Sequence, residues 1–97
     1  MIYFDWDENK NSINKDKHGI SFEEAQTVFY DSNALIIDDP DHSDEEDRYI
    51  ILGFSIEANL LVVVHCYRSD DSFIRIISAR KATKNEARKY ADNSERW

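Results

Sequence analysis

The sequence predicts an α+β fold: a small single domain, residues 1–97, in which an antiparallel β-sheet meander is accompanied by two N-terminal helices and a C-terminal helix. Ninety-seven residues suit one domain with one modest core. Hydrophobic residues make up 41% of the chain, which is enough to pack a core although one third of the residues are charged. Helix-capping patterns lie near both ends of the chain, and β-branched runs lie between them.

The first two elements are a strand and a helix. The segment IYFDW, residues 2–6, alternates apolar and polar side chains with the period of a half-buried strand. Asp7 can cap the helix that follows, and Gly19 can end it because glycine readily takes a left-handed conformation.

A second helix is predicted over residues 21–30. Ser21 and Glu24 have the spacing of a capping box, and Ile20 and Ala25 can form its hydrophobic staple.

The middle of the chain has β character. Strands are predicted over residues 34–37, 48–54, 59–68 and 73–81, and a four-residue loop at 69–72 makes the last two strands a hairpin. Both long strands carry apolar residues at odd and even positions, which predicts central strands covered at least in part on both faces.

The last helix begins at a second capping box, formed by Thr83 and Glu86, and reaches about Asp92. The residues expected to face inward are Ala87, Tyr90 and Ala91.

Charge is distributed unevenly along the chain. The formal net charge is −8, residues 38–47 hold seven acids and no Lys or Arg, and residues 75–90 carry six Lys or Arg against one Glu. A local basic patch can hold phosphates on a protein that is acidic overall, although a solvated face is the simpler interpretation of such runs.

The compartment predicted from the sequence is the cytoplasm. The lone cysteine, Cys66, cannot form an internal disulfide, which suits a reducing environment. The N-terminus has no apolar segment of signal-peptide length, and the longest apolar run, residues 60–64, is too short to cross a bilayer.

The basic residues near the end of the chain could form an anion site. Lys81 and Lys84 flank the start of the last helix, whose free N–H groups favour anions. Arg75 and Arg80 would lie on opposite faces of their strand if its alternation is unbroken, and Arg68 would lie beside the hairpin loop at the other end of the sheet.

Three histidines could transfer protons near neutral pH. His65 lies within an apolar strand and is predicted to be a hydrogen-bonded core residue, and His18 is predicted to end a helix. His42 lies among carboxylates that would raise its pKa, so it is the candidate acid, with an ordinary loop histidine as the alternative.

No metal site and no cofactor are predicted. The acidic run resembles a calcium loop at alternate positions, but Asp44 stands where glycine is needed and Ile50 where a bidentate glutamate is needed. Zinc, P-loop and serine-hydrolase motifs are absent from the sequence.

Four segments in this order, FDWDENKN, KHGISFEEAQTVF, DHSDEEDRYIILG and RIISARKATKNEARKY, resemble the BrnT family of type II toxins over residues 4–90. The resemblance implies a fold similar to RelE toxins and metal-independent cleavage of RNA that blocks translation. It also implies neutralisation by a BrnA-like antitoxin in a 2:2 complex, with operator DNA bound only through the antitoxin's ribbon-helix-helix domain.

The resemblance also implies roles for particular residues. In this interpretation arginines hold phosphate while His42 or Glu46 moves protons, with Glu45 competing for the acidic position. The implied catalytic residues are His42, Glu46, Arg75 and Arg80, and the implied RNA-binding residues are Arg48 and Lys81. Arg68 and Lys84 are added to the RNA-binding residues because of their predicted positions at the hairpin loop and the start of the last helix.

Two alternatives remain open at the level of sequence. Relatives tend to read Gly-Arg where this chain has Ala58-Asn59, which removes a basic residue and favours a protein-interaction module with weak or lost nuclease activity. Cleavage that is weak or needs the ribosome is also compatible with the sequence. DNA binding by this chain alone is disfavoured, because the net charge opposes it and no basic recognition helix is free of the core.

Overall fold

The computed structural model describes residues 2–38, 48–68 and 72–94, which form one β-sheet with helices on both of its faces. The elements in chain order are β1 (Tyr3–Asp5), α1 (Glu8–His18), α2 (Phe22–Ala25), a 3₁₀ helix (Gln26–Tyr30), β2 (Leu35–Asp38), β3 (Arg48–Phe54), β4 (Leu60–Arg68), β5 (Phe73–Lys81) and α3 (Lys84–Ser94). None of the helices in these ranges is long and apolar enough to cross a membrane.

The sheet is mixed, so the prediction of a purely antiparallel sheet is wrong. Its strand order is β1-β5-β4-β3-β2, and the predicted meander from β2 to β5 is antiparallel throughout. β1, however, pairs with β5 in the parallel sense. Parallel pairing needs a long crossover connection, which the helices and the intervening strands supply here.

Most element boundaries follow the local sequence patterns. β3 and β5 cover the predicted residues 48–54 and 73–81. The Asp7 carboxylate accepts hydrogen bonds from the N–H groups at the start of α1, and Gly19 ends this helix at φ 71°. The predicted hairpin loop at 69–72 falls largely outside the described residues.

The predicted helix over residues 21–30 is divided into α2 and the 3₁₀ helix. Ser21 caps α2 as expected, since its Oγ accepts a 3.0 Å hydrogen bond from the Glu24 N–H. The second half of the capping box is wrong: the Glu24 carboxylate accepts instead from Ser55 Oγ at 2.6 Å and from Asn59 Nδ2 at 2.8 Å. Glu24 therefore ties α2 to the β3–β4 turn.

The two faces of the sheet carry different layers. α1, α2 and the 3₁₀ helix cover one face, where the main core lies; its buried members are Ile20, Phe22, Ala25, Val28, Ile51, Leu61, Val63, Ile76 and Ala79. α3 packs on the other face, called here the α3 face, through Tyr90 against Leu52 and Val62. Both faces of the central strands are therefore covered in part, as predicted.

A buried carboxamide joins α1 to the edge of β5. Asn14 Nδ2 donates to the backbone carbonyls of Ala79 and Ile20, each at 2.8 Å, and Asn14 Oδ1 accepts from the Ala79 N–H at 3.1 Å. β1 pairs with β5 from Phe73 to Arg75 and does not reach Ala79. The Asn14 side chain therefore makes the hydrogen bonds to the Ala79 backbone that a neighbouring strand would otherwise make. The contact explains why so polar a helix as α1 packs tightly on the sheet.

The start of α3 is held by one carboxylate. Glu86 Oε1 accepts from the Thr83 N–H at 2.8 Å and Thr83 Oγ1 accepts from the Glu86 N–H at 3.2 Å, which confirms the capping box. The same carboxylate receives two hydrogen bonds from the Arg80 guanidinium, at 2.8 and 2.9 Å. Tyr90 is buried as predicted, whereas Ala91 is exposed because it lies on the outer side of the helix.

Replacing Asn14 is expected to destabilise the fold strongly. In Asn14→Ala the buried N–H and C=O of Ala79 and the C=O of Ile20 lose their side-chain partner, at a cost of about 1–3 kcal/mol for each group left unsatisfied. Urea unfolding measures the loss, with Asn9→Ala on the exposed side of α1 as the control, expected to change stability by less than about 0.5 kcal/mol. Equal stability of the two variants would contradict the role given to Asn14.

The β3–β4 turn is strained at Ala58, whose φ is 62°. A left-handed conformation costs a non-glycine residue about 1–2 kcal/mol, and glycine removes this cost. Part of the resulting gain in stability is lost, because glycine also makes the unfolded chain more flexible. Ala58→Gly is therefore expected to raise the free energy of unfolding by about 0.5–1 kcal/mol. The helical Ala87→Gly is the matched control and should lower it; a loss of stability at position 58 would contradict the argument.

The Glu86 carboxylate makes stability depend on pH. Its hydrogen bonds with Arg80 lower the pKa of Glu86 to about 2. Because the pKa is depressed in the folded state, the stabilisation is complete above the ordinary value of 4.5 and is lost as the pH falls toward 2. Thermal unfolding is measured at several pH values between 4.5 and 2. As the pH falls, the melting temperature of Glu86→Gln should decrease less than that of the parent chain, while Asp16→Asn, at an exposed position of α1, should follow the parent.

Candidate functional site

The basic side chains of the sheet lie on one face, the α3 face. Cys66 on β4 is directly opposite Arg48 of β3 and Arg75 of β5, and Val62 on the same strand is opposite Arg80. Directly opposed residues share a face, as do residues four apart on one strand. Arg48, Arg75 and Arg80 therefore share the α3 face.

Arg75 and Arg80 were expected on opposite faces only if the alternation of their strand is unbroken, and a bulge in β5 breaks it. Val64 pairs with Ser78 but the next residue, His65, pairs with Ile76, so Ile77 is an extra residue in β5. One extra residue reverses the alternation beyond it.

The arginines form two groups at opposite ends of this face. Arg48, Arg68 and Arg75, called here the arginine cluster, lie where β4 ends and β5 begins. Arg80 lies four residue pairs from Arg75 along β4, about 13 Å at the usual rise per residue. The predicted separation of Arg68 from Arg80 is confirmed.

One carboxylate contacts two members of the arginine cluster. Asp5 Oδ2 is 3.2 Å from Arg68 Nη1, and Asp5 Oδ1 is 3.6 Å from Arg75 Nη1. Sequence patterns did not point to Asp5, because its position depends on the parallel pairing of β1 with β5, which places it opposite Arg75. Both arginines are partly exposed, so their guanidinium groups are accessible to a second anion.

The second group surrounds the start of α3. Lys84 is the first residue of this helix and Lys81 the last of β5, and both side chains are exposed. Arg80 is different, because its fork is occupied by the Glu86 carboxylate and its Nη1 also donates to the Lys81 carbonyl at 3.2 Å. A phosphate at Arg80 would have to compete with Glu86.

His42 and Glu46 lie outside the described residues, as does the rest of the run from 39 to 47. The two residues that bracket the run, Asp38 and Arg48, are described. Asp38 pairs with Tyr49 of β3, so both bracketing residues lie at the end of the sheet that carries the arginine cluster.

The other two histidines have the positions predicted for them. His18 is the last residue of α1. His65 is fully buried on the helix-covered face, with Nδ1 3.3 Å from the Val63 carbonyl and its ring at 4.8 Å from that of Phe29. Burial lowers the pKa of His65 to about 4, so it is neutral near pH 7 and lies on the face away from the arginines.

The lining of an apolar groove includes none of these basic residues. The groove has a volume of about 590 Å³ and is lined by Thr27, Tyr30, Asp31, Phe54, Ser55 and Ile56. Asp31 is the charged residue of this lining, and its carboxylate is engaged by the Tyr90 hydroxyl at 2.7 Å and the Phe54 N–H at 2.8 Å. The groove is thus suited to apolar contacts, in contrast to the arginine cluster.

Comparison with known proteins gives a consistent result. Residues 6–86 match the family described as the ribonuclease toxin BrnT of type II toxin-antitoxin systems. The fold is similar to the crystal structure of the Brucella abortus ribonuclease toxin BrnT, with a TM-score of 0.64 and 20% sequence identity over 87% of this chain and 100% of that chain. No curated protein matches the sequence at a significant level.

The structural likeness, at this level of identity, concerns the fold alone, and a likeness to RelE toxins stays a prediction. The family match runs from the residue after β1 into α3 and so includes most of the chain. This chain belongs to the BrnT family of ribonuclease toxins of type II toxin-antitoxin systems.

Proposed function

We propose that this chain is an endoribonuclease that cleaves RNA without a metal ion, and that the arginine cluster holds the phosphate that is attacked. The observation that carries the proposal is the presence of Arg48, Arg68 and Arg75 on one face and at one end of the sheet. Arginine suits this task because its planar fork binds phosphate oxygens and stays charged.

The reaction needs a base, an acid and positive charge. The base takes the proton of a ribose 2′-hydroxyl, the 2′-oxygen attacks the adjacent phosphorus, and the bond to the 5′-oxygen breaks as the acid protonates that oxygen. Cations stabilise the additional negative charge of the transition state. We assign the cations to Arg75 with Arg48 and Arg68, and the proton transfers to His42 or Glu46.

The assignment of the proton transfers has a topological basis. The run that contains His42 and Glu46 is bracketed by Asp38 and Arg48, which lie at the same end of the sheet as Arg75. Asp5 contributes by contacting the guanidinium groups of Arg68 and Arg75, at 3.2 and 3.6 Å from its carboxylate oxygens. Its negative charge offsets the repulsion between these two cations.

The second basic group extends the surface for RNA. Lys81 and Lys84 are exposed and can hold phosphates that flank the cleaved bond. In this proposal Arg80 joins them by exchanging the Glu86 carboxylate for a flanking phosphate. Because Arg80 lies four residue pairs from Arg75 along β4, its part is to bind RNA, and the charge of the transition state falls to the arginine cluster.

A type II toxin implies an antitoxin as its partner. We propose that the partner is a BrnA-like protein in a 2:2 complex, that operator DNA is bound only through that protein, and that the freed toxin stops translation in the cytoplasm. In this proposal cleavage by the free chain is weak or depends on the ribosome, and the assay below distinguishes these two cases.

A second candidate is a protein-interaction module with weak or lost nuclease activity. The apolar groove favours it, because Tyr30 is 70% exposed and Ile56 82% exposed, and such side chains gain by contact with an apolar partner segment. Asn59 also favours the interaction module, because it stands where relatives tend to have an arginine that could bind RNA. Its side chain instead donates a hydrogen bond to the Glu24 carboxylate. Tight binding of a partner by a chain that leaves RNA intact would support this candidate.

Arg75→Ala is expected to lower RNA cleavage by roughly 100-fold or more, as the loss of one group that stabilises transition-state charge commonly does. The measurement uses the purified chain, end-labelled RNA and excess EDTA, with and without ribosomes. The products should carry 5′-hydroxyl ends and cyclic or 3′-phosphate ends.

Two variants control this experiment. Arg88→Ala removes the same charge from an exposed position on α3 and should cleave at nearly the parent rate. Arg75→Lys keeps the charge but not the fork, and should fall between the parent and Arg75→Ala. Parent-like cleavage by Arg75→Ala, or cleavage abolished by EDTA, would overturn the proposed site or its metal independence, respectively.

A further inference from the structure

Two aromatic rings stand beside the arginine cluster. Tyr3 of β1 and Phe73 of β5 are direct partners in the parallel pair, and their rings are stacked, with centroids 5.2 Å apart and planes 24° from parallel. The rings remain accessible, since Tyr3 is 49% and Phe73 40% exposed. A solvent-exposed stacked pair at the edge of a sheet is a surface to which another flat ring can add.

The rings and the arginines lie in adjoining rows of the α3 face. One row runs across the sheet from Tyr3 through Phe73 to Arg68. The next row runs from Asp5 through Arg75 and Cys66 to Arg48. Residues two apart on a strand are about 6.6 Å apart on the same face, so each ring has a guanidinium group within one side-chain length.

The position of these rings is independent of the main core. Tyr3 and Phe73 are on the α3 face, opposite the helix-covered core, and α3 packs at the other end of that face, on Leu52 and Val62. Their backbone is nevertheless fixed, because the Tyr3 N–H donates to the Ser72 carbonyl at 2.8 Å. The pair is therefore held in place while its rings stay exposed.

We infer that Tyr3 and Phe73 form a stacking site for a base of single-stranded RNA whose neighbouring phosphates lie on Arg68 and Arg75. Aromatic rings bind bases through their π-faces while cations bind the backbone, and sites of this kind favour unpaired strands because paired bases are already stacked. This inference rests on the proposed function, which identifies the ligand as RNA. It adds that the RNA is unpaired beside the cleaved bond.

The test uses RNA that cannot be cleaved. A 2′-O-methyl oligomer of about eight nucleotides is compared with an oligomer of the same length and backbone whose central bases are absent. The full chain should bind the complete oligomer at least about fivefold more tightly than the abasic one, since stacking on an aromatic side chain commonly contributes that much or more.

Variants separate stacking from charge. The double variant Tyr3→Leu/Phe73→Leu should lose the preference for the complete oligomer while the salt dependence of binding stays unchanged. Arg68→Ala should weaken binding of both oligomers equally and lower the slope of log affinity against log salt by about 0.7, the value for one phosphate contact on a single strand. Ile13→Ala, a change at an exposed apolar residue of α1 on the opposite face of the sheet, should behave as the parent.

Folding of the variants is checked by their melting curves. The single variants Tyr3→Phe and Phe73→Tyr, which keep an aromatic ring, should keep the preference for the complete oligomer.

Equal affinity of the parent for the two oligomers, or an undiminished preference in the folded double variant, would overturn the stacking site and leave the proposed nuclease intact. A parent chain that prefers the complete oligomer but leaves ordinary RNA uncut, both with and without ribosomes, would uphold the stacking site and overturn the nuclease. A parent chain that binds neither oligomer would overturn the stacking site, and the cleavage assay with ordinary RNA then decides the nuclease independently.

Discussion

The hydrogen bonds between the Asn14 carboxamide and the backbone of Ala79 are the contact on which the arrangement of this fold depends. They hold α1 against the part of β5 that β1 does not cover, and they do so two residues after the bulge at Ile77. The same side chain holds the Ile20 carbonyl, where the chain passes from α1 to α2. The buried Asn14 amide thus connects α1 both to the segment leading into α2 and to the part of β5 that follows the bulge. Because these groups are buried, an apolar residue at position 14 would leave them without partners.

The distribution of charge reconciles an acidic protein with a proposed site for RNA. The net charge of −8 concerns the whole chain, whereas the arginine cluster, Arg80 and their neighbours share one face of the sheet. Carboxylates within the fold balance these cations at close range: Asp5 contacts Arg68 and Arg75, and Glu86 binds Arg80. Their effect differs, because the bidentate contact with Glu86 occupies the guanidinium fork of Arg80 while the longer contacts with Asp5 leave Arg68 and Arg75 partly exposed. The two basic groups are thus unequal, which is why the proposed function places the cleaved phosphate at the arginine cluster.

Part of the candidate site could be predicted from the sequence, and part could not. The concentration of basic residues between 75 and 90, the place of Lys81 and Lys84 at the start of the last helix and the separation of Arg68 from Arg80 follow from spacing alone. The common face of Arg75 and Arg80 does not, because the adjacent apolar residues Ile76 and Ile77 fit a strand covered on both faces as well as they fit a strand with one extra residue. Tyr3 and Asp5 were not predicted either, since they approach the arginines only through the parallel pairing of β1 with β5. Phe73 lies opposite Arg68 in the predicted hairpin, but its stacking on Tyr3 depends on the same parallel pairing.

The sequence by itself determined most of the elements of this protein and its family. Helix caps at Asp7, Gly19 and Thr83 and the runs of β3 and β5 depend on residues within a few positions of one another, so local patterns identify them correctly. Only the tertiary structure decided the partner of β1, the destination of the Glu24 carboxylate and the face on which Arg80 lies. Each of these depends on a contact between residues far apart in the chain, such as Tyr3 with Phe73 or Glu24 with Ser55 and Asn59. Such contacts are selected by packing and by the need of buried polar groups for partners, which act only when the whole chain has folded.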